Sequence, residues 1–148
     1  MNKNLDLYAI DFDETLNLEN KHFKPRNELI YFLNNPEPKA FYIVTARNGT
    51  PSNIKYIKEF CDNYKLKPRD IHFTNQSLKG ELLKSLGIKY FIDDNPDQLS
   101  NAIKHDIISF HPNDLKYNIE QYDLNNNSIK RKIALMKFRK IAKEELPE

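Results

Sequence analysis

Short apolar runs alternate with longer amphipathic segments along most of the chain. A short apolar run is typical of a buried strand, and apolar residues that recur every three or four positions are typical of a helix. Regular alternation of the two predicts a parallel α/β sheet, because parallel strands need long crossover connections. The runs predict five strands, over residues 7–11, 40–45, 70–74, 89–92 and 107–110.

Helix signals support the same alternation. The amphipathic segments predict four helices, over residues 26–34, 53–64, 78–86 and 96–104. Pro25 suits the start of the first helix, Ser52 and Ser77 are the predicted N-caps of the second and third, and Gly87 is predicted to end the third. Residues 12–24 are predicted to form a polar loop. We therefore expect a Rossmann-like α/β fold, with a parallel sheet of about five strands flanked by helices.

These patterns divide the chain into a core domain of residues 1–112 and a C-terminal segment of residues 113–148. Within that segment, residues 129–145 predict a basic helix that is rich in Lys and Arg. One face of this helix is apolar, formed by Ala134, Leu135, Phe138, Ile141 and Ala142. Three uses fit the pattern: docking on the core with a solvated basic face, contact with a nucleic-acid backbone, or a homodimer contact.

Composition narrows the class of protein. The chain has 148 residues, of which 39% are hydrophobic and 30% charged, which suits one globular domain. A net charge of +2 is too weak to imply nucleic acid or membrane by itself. No apolar run approaches the roughly 20 residues of a membrane span, and the N-terminus lacks an apolar signal core, so we expect no membrane partner and a cytoplasmic location. The single cysteine, Cys61, excludes an internal disulfide and predicts a buried structural thiol.

Polar side chains are predicted to meet beyond the carboxyl ends of the strands, where open parallel sheets bind their ligands. Four separate segments supply them: Asp11 with Asp13, Thr45, Lys79, and Asp93 with Asp94. Mg²⁺ prefers hard oxygen ligands of this kind. Together with a fixed cation, Mg²⁺ neutralises the charge of a phosphate monoester. The set therefore predicts phosphoryl transfer, with one carboxylate as nucleophile and a second carboxyl as acid and base.

Four short segments, in this order, resemble the motifs of the haloacid dehalogenase (HAD) superfamily of phosphatases: Asp11-x-Asp13-x-Thr15, Thr45 after Tyr42-Ile43-Val44, Lys79, and Phe91-Ile92-Asp93-Asp94-x-x-Asp97. The resemblance implies that Asp11 is the nucleophile and a ligand of Mg²⁺. It implies that Asp13 is the general acid and base, with its backbone carbonyl on the metal. It also implies that Asp93 binds the metal directly and that Asp94 is a ligand or anchors one. Asp97 is interpreted as a helix N-terminal charge.

The resemblance also assigns the phosphate contacts. Thr45 and Ala46 are the predicted phosphate-binding pair, and Lys79 is predicted to steady the nucleophile and the phosphoryl group. Lys84 is the alternative if the helix register differs. Arg47 has the fork-shaped side chain that suits bidentate phosphate contact, although a solvent-facing loop arginine remains the other interpretation.

The spacing of the motifs leaves no room for a cap domain. The stretches from Thr15 to Thr45 and from Thr45 to Lys79 are filled by predicted loops, helices and a strand. The family often has glycine where this chain has Glu14, so that side chain must point outward or line the entrance. An open site favours a phosphate on a large molecule. The segment Tyr42–Arg47, followed by a long predicted helix and by Phe91-Ile92-Asp93-Asp94, is similar to the 3′-phosphatase part of phage-type polynucleotide kinase-phosphatases and to some nucleotidases.

We therefore expect a capless, Mg²⁺-dependent phosphatase whose substrate is a nucleotide or the phosphorylated end of a polynucleotide. A phosphoprotein phosphatase is an alternative. A non-catalytic phosphate-sensing or scaffold module of the same fold is another. A receiver-like signalling domain is disfavoured, because its lysine follows the last strand, whereas Lys79 precedes Asp93 and Asp94.

Overall fold

Five strands alternate with four helices in the computed structural model, which describes residues 6–19 and 21–114. The elements are β1 Leu7–Ile10, α1 Asn27–Asn34, β2 Ala40–Thr45, α2 Pro51–Asn63, β3 Ile71–Phe73, α3 Gly80–Ser85, β4 Tyr90–Ile92, α4 Pro96–Lys104 and β5 Ile108–Phe110, followed by the 3-10 turn Pro112–Asp114. The predicted α/β class is confirmed. The predicted helix over residues 129–145, with its three proposed uses, lies outside the described residues. None of the helices in the described ranges has the length and apolar character needed to cross a membrane.

The five strands form one parallel sheet in the order β3-β2-β1-β4-β5. Chain order reverses between β1 and β4, because β2 and β3 extend to one side of β1 while β4 and β5 extend to the other. Ile10 of β1 pairs with Ile43 of β2 and with Ile92 of β4. The segments that follow β1 and β4 therefore leave the sheet side by side. This switch point is where open parallel sheets bind their ligands.

The core encloses the central strands on both faces, as parallel sheets require. Ile10, Ile43 and Phe91 are fully buried. The loop after β1 takes part in the core as well, because Phe12 and Leu16 are also fully buried. The prediction of a polar loop over residues 12–24 is therefore wrong at these two positions. The buried side chains anchor the loop, which limits the movement of the acidic residues around Phe12.

The start of α2 differs from the prediction. The helix begins at Pro51, and the side chain of Thr50 accepts the backbone N–H of Asn53 at 3.2 Å. Thr50 is therefore the N-cap, and the prediction of Ser52 as the cap is wrong. Proline at the first helical position explains the shift, because its missing N–H leaves one fewer donor to satisfy there.

The start of α3 differs for a tertiary reason. The predicted helix over residues 78–86 is confined to Gly80–Ser85, and Ser77 does not cap it. Two side chains of α4 accept the first amides instead: Gln98 Oε1 accepts the N–H of Lys79 at 2.9 Å, and Asn101 Oδ1 accepts that of Gly80 at 2.7 Å. Helix α4 thus holds the backbone of Lys79 in place. Gly87 has the left-handed φ of 72° that was expected at the helix end.

Candidate active site

An open cavity of about 460 Å³ lies beside the switch point of the sheet. All but one of the predicted site residues line it: Asp11, Asp13, Ala46, Arg47, Lys79, Asp93 and Asp94. Thr45 is the exception, because it is fully buried and its hydroxyl oxygen accepts the N–H of Arg47 at 3.1 Å. The four segments that were predicted to meet at this edge of the sheet do meet there.

A buried ion cluster forms the floor of the cavity. Lys79 Nζ donates to Asp11 Oδ1 at 2.8 Å and to Asp93 Oδ2 at 2.7 Å. All three side chains are buried, and Lys79 is only 1% exposed. The lysine comes from the turn before α3, while the two aspartates follow the neighbouring strands β1 and β4. Lys84, the alternative considered for this role, is exposed on α3.

A hydroxyl joins the third carboxylate to this cluster. Thr15 Oγ1 lies 3.0 Å from Asp11 Oδ2 and 3.2 Å from Asp94 Oδ1. Since a hydroxyl has a single hydrogen, it donates to one of the two carboxylates at a time. Asp93 is held independently, because its Oδ1 accepts the backbone N–H of Asn95 at 2.9 Å. Hydrogen bonds therefore hold the acidic side chains that follow both strands.

The carboxylates carry more negative charge than the single lysine balances. Burial raises the pKa of Asp11 from 3.8 to about 6, although Lys79 opposes the rise. Burial and the charge of Asp11 together raise the pKa of Asp93 to about 7. Burial acts to lower the pKa of Lys79, but the charges of Asp11 and Asp93 outweigh it and raise the pKa. The lysine therefore stays charged, while the carboxylates still lack part of the positive charge that would keep them ionised.

Three carboxylates of this cluster are arranged to share one cation. Asp11, Asp93 and Asp94 each offer an oxygen, and these oxygens lie within 4.8 Å of one another. Hard oxygen donors suit Mg²⁺ and other divalent ions of the same kind. A divalent cation would also supply the positive charge that the raised pKa values of Asp11 and Asp93 show to be missing. The residues present therefore fit a divalent metal, without selecting Mg²⁺ among such ions.

Asp13 has a different partner from the other carboxylates. Its two oxygens accept from Arg47, Oδ2 from Nε at 2.8 Å and Oδ1 from Nη2 at 2.7 Å. The pKa of Arg47 is raised, mainly by these hydrogen bonds. The bidentate geometry is the strong form of a charge-assisted pair. The predicted contact of Arg47 with phosphate stays a prediction, and in this structure the fork of the arginine holds the side chain of Asp13.

The loop that carries Ala46 and Arg47 is fastened to the loop before α3. The N–H of Gln76 donates to the carbonyl of Ala46 at 2.7 Å, and that of Asn75 donates to the carbonyl of Arg47 at 3.3 Å. Asn75 and Gln76 adopt left-handed φ values of 53° and 69°. This strained pair turns two consecutive amides toward one loop, as happens where function demands a fixed backbone.

Arg26 is a site-supporting residue that the sequence did not reveal. Its Nε donates to the carbonyl of Thr15 at 2.8 Å and its Nη2 to that of Glu14 at 3.0 Å. Glu14 itself has a left-handed φ of 62° and is exposed, as expected for a side chain in place of glycine. The predicted helix over residues 26–34 took Arg26 as its first residue, whereas α1 begins at Asn27 and the side chain of Arg26 does not cap it.

The chain matches no protein-family model, no curated protein and no solved structure. The relationship to the HAD superfamily therefore stays a prediction from the motifs. Three features of the described residues bear on function: Lys79 is buried between Asp11 and Asp93, Asp94 offers an oxygen close to theirs, and a separate Asp–Arg pair lines the same cavity.

Proposed function

We propose that this protein is a metal-dependent phosphomonoester hydrolase with Asp11 as its nucleophile. The observation that carries the proposal is the convergence of Asp11, Asp93 and Asp94 around one potential cation site, with Lys79 bonded to two of them. A phosphate monoester brings two negative charges, which a divalent cation and a buried ammonium are suited to offset. A carboxylate held beside both is placed for nucleophilic attack.

The reaction divides into two displacements. In the first, a carboxylate oxygen of Asp11 bonds to phosphorus as the bond to the ester oxygen breaks. Asp13 enters this step protonated, gives its proton to the leaving oxygen, and becomes the carboxylate that pairs with Arg47. In the second, water attacks the aspartyl-phosphate, Asp13 takes the proton, and inorganic phosphate leaves as Asp11 is regenerated. Lys79 orients Asp11 through the 2.8 Å hydrogen bond. Asp11, Asp93 and Asp94 would hold a divalent cation such as Mg²⁺, which would stabilise the charge of the phosphoryl oxygens.

The open cavity supports a substrate larger than a small metabolite. Its lining residues come from the core domain, and within residues 6–19 and 21–114 the connections between motifs are too short to enclose a ligand. A nucleotide or the phosphorylated end of a polynucleotide suits such an entrance. The motif resemblance favours the same two kinds of substrate. Phosphoproteins form the alternative class of substrate. An open site excludes neither class, so substrate panels must include both.

The first experiment measures phosphate release from an aryl phosphate with and without Mg²⁺. The wild-type protein should be active only with the divalent ion, and Asp11→Asn should abolish turnover because the amide cannot form the acyl phosphate. Glu59→Gln, which removes an exposed acid of α2, is the matched control and should keep activity. Full activity in Asp11→Asn would contradict the proposal. Binding of phosphate analogues without turnover on any substrate would instead favour a phosphate-sensing module.

A panel of substrates then identifies the leaving group. It should contain nucleoside monophosphates, oligonucleotides phosphorylated at the 3′ or the 5′ end, phosphopeptides and sugar phosphates. We expect the highest kcat/KM for a nucleotide or a polynucleotide end. A preference for phosphopeptides would agree with the proposed reaction but would show that the substrate class is phosphoproteins.

A further inference from the structure

The Asp13–Arg47 ion pair is held by more contacts than an ordinary ion pair on a protein surface. Besides its two bonds to Asp13, Arg47 donates from Nη1 to Asn53 Oδ1 at 3.1 Å. Its guanidinium carbon lies 4.9 Å from the ring centroid of Tyr56 and 5.4 Å from that of Phe12. The planar cation therefore rests on aromatic faces while its edge makes three hydrogen bonds, which is the arrangement that arginine, unlike lysine, can satisfy.

The support continues into the backbone. The carbonyl of Arg47 accepts from Asn75 at 3.3 Å, and its N–H donates to the hydroxyl of Thr45 at 3.1 Å. Asn53 also donates from Nδ2 to the carbonyl of Asn48 at 2.9 Å, so the side chain that holds the guanidinium also holds the same loop. Each of these contacts fixes the arginine at the edge of the cavity. To reach a phosphate with the same fork, Arg47 would have to release both oxygens of Asp13.

We propose that Arg47 is a positioning residue that acts through Asp13 and does not bind the transferred phosphoryl group. The inference rests on the proposed function, in which Asp13 moves protons to and from the reacting oxygens. The guanidinium holds both carboxyl oxygens in one orientation at the cavity wall. Without it, the Asp13 side chain would turn freely, and proton transfer would lose the alignment on which its rate depends.

The chemistry of the leaving group distinguishes this role from phosphate binding. An alkoxide is a poor leaving group, so an alkyl phosphate needs the proton from Asp13 as its P–O bond breaks. A nitrophenolate leaves without a proton. Loss of the general acid therefore slows alkyl phosphates much more than nitrophenyl phosphate. Loss of a phosphate-binding cation slows both substrates alike, because both carry the same phosphoryl group.

The test compares kcat and KM of wild-type protein, Asp13→Asn, Arg47→Gln, Arg47→Lys and the double variant Asp13→Asn/Arg47→Gln on both substrates. On an alkyl phosphate, Asp13→Asn should lower kcat by roughly 100-fold or more, the usual range for general acid catalysis. Arg47→Gln should show the same substrate pattern with a loss of about 10-fold or more, and the double variant should be no slower than Asp13→Asn. Arg47→Lys should not restore the rate, since lysine lacks the fork.

Two further variants complete the design. Asn53→Ala removes the third hydrogen bond of Arg47 and should give a smaller loss with the same substrate pattern. Lys55→Gln, which removes an exposed cation of α2, is the matched control and should leave both substrates unaffected. If Arg47→Gln fails to fold, as judged by circular dichroism, Arg47→Lys and Asn53→Ala carry the comparison.

The outcomes separate the inference from the proposed function. Equal losses on both substrates with a raised KM, or a weaker inhibition by inorganic phosphate in Arg47→Gln, would show that Arg47 binds phosphate and would overturn the inference alone. A double variant much slower than Asp13→Asn would do the same. Turnover that survives in Asp11→Asn, or its absence in wild-type protein, would overturn the proposed function and this inference with it.

Discussion

Removal of divalent cations should make the stability of the protein fall as pH rises, and Mg²⁺ should reverse part of that fall. The pKa of Asp11 is raised from 3.8 to about 6 and that of Asp93 from 3.8 to about 7. Between the unfolded and folded pKa values, the folded chain keeps protons that the unfolded chain has lost. The stability that these groups contribute is therefore complete below about pH 4 and is lost as pH rises toward about 7.

The size of the effect follows from the two shifts. At about 1.4 kcal/mol per pKa unit, they correspond to roughly 3 kcal/mol for Asp11 and roughly 4 kcal/mol for Asp93. Because the two groups interact, we expect a combined loss on the order of 5 kcal/mol in the metal-free protein. A cation at about 100 times its Kd would return about 2.7 kcal/mol. In a chain of this length that corresponds to a rise in Tm of roughly 5–10 °C.

Thermal unfolding monitored by circular dichroism at pH 5 and pH 8, with EDTA or with Mg²⁺, measures both effects. The Tm in EDTA should be lower at pH 8 than at pH 5, and Mg²⁺ should raise Tm chiefly at pH 8, where the carboxylates are ionised. Asp93→Asn should abolish the response to Mg²⁺, and Glu59→Gln should retain it. A Tm in EDTA that rises from pH 5 to pH 8, or a response to Mg²⁺ that is equal at both values, would refute the reasoning.

Further substitutions test other parts of the structure. Lys79→Met should abolish activity and lower the free energy of unfolding by roughly 3–5 kcal/mol at pH 8. The loss should be smaller at pH 5, because protonated carboxyls need no counter-charge. Urea titrations at the two pH values measure both losses. Glu14→Gly should raise the free energy of unfolding by about 1 kcal/mol in the same assay, because the left-handed φ of 62° disfavours a side chain; an unchanged value would speak against strain at this turn. Gly80→Ala should lower the free energy of unfolding by roughly 1–3 kcal/mol, because the added Cβ would overlap the side chains of Asn101 and His105. The matched Gly49→Ala should cost less, because its Cβ meets only ordinary van der Waals contacts. Cys61 should resist thiol reagents until urea unfolds the protein, because burial raises its pKa to about 12; rapid labelling of the native protein would contradict this.

Local periodicity was sufficient to predict the sheet and the segments that build the site. Each predicted strand agrees with the structure to within one residue at either end. Strands of a parallel sheet are buried on both faces, so they appear in the sequence as short continuous apolar runs. Parallel strands also align their carboxyl ends, so Asp11 and Asp93 could be expected to meet although most of the domain separates them in sequence. The preference for Lys79 over Lys84 came from the motif resemblance, and in the structure Lys79 lines the cavity while Lys84 is exposed.

The partners of these side chains could not be predicted, because they depend on tertiary contacts. Asp13 and Arg47 lie 34 positions apart, and nothing in their local sequences indicates that one holds the other. The backbone N–H groups of Lys79 and Gly80 donate to side chains of α4. Capping rules consider only residues close in sequence, so they do not predict these partners. The burial of Phe12 and Leu16 was missed for a related reason, since a few apolar residues scattered through a polar loop do not form a helix or strand pattern.

Because the start of α3 depends on side chains of α4, the protein tolerates insertions and deletions at some positions and not at others. Gln98 and Asn101 lie one helical turn apart and face the two amides they accept. One residue inserted in the first turn of α4, between Pro96 and Gln98, would rotate the helix face by roughly 100° and turn the two acceptors away from Lys79 and Gly80. Lengthening the turn between α1 and β2 would disturb neither. Fused partner domains should therefore be placed in that turn, which enters β2 at the edge of the sheet opposite the cavity, and the six positions from Asp93 to Gln98 should take no insertion or deletion.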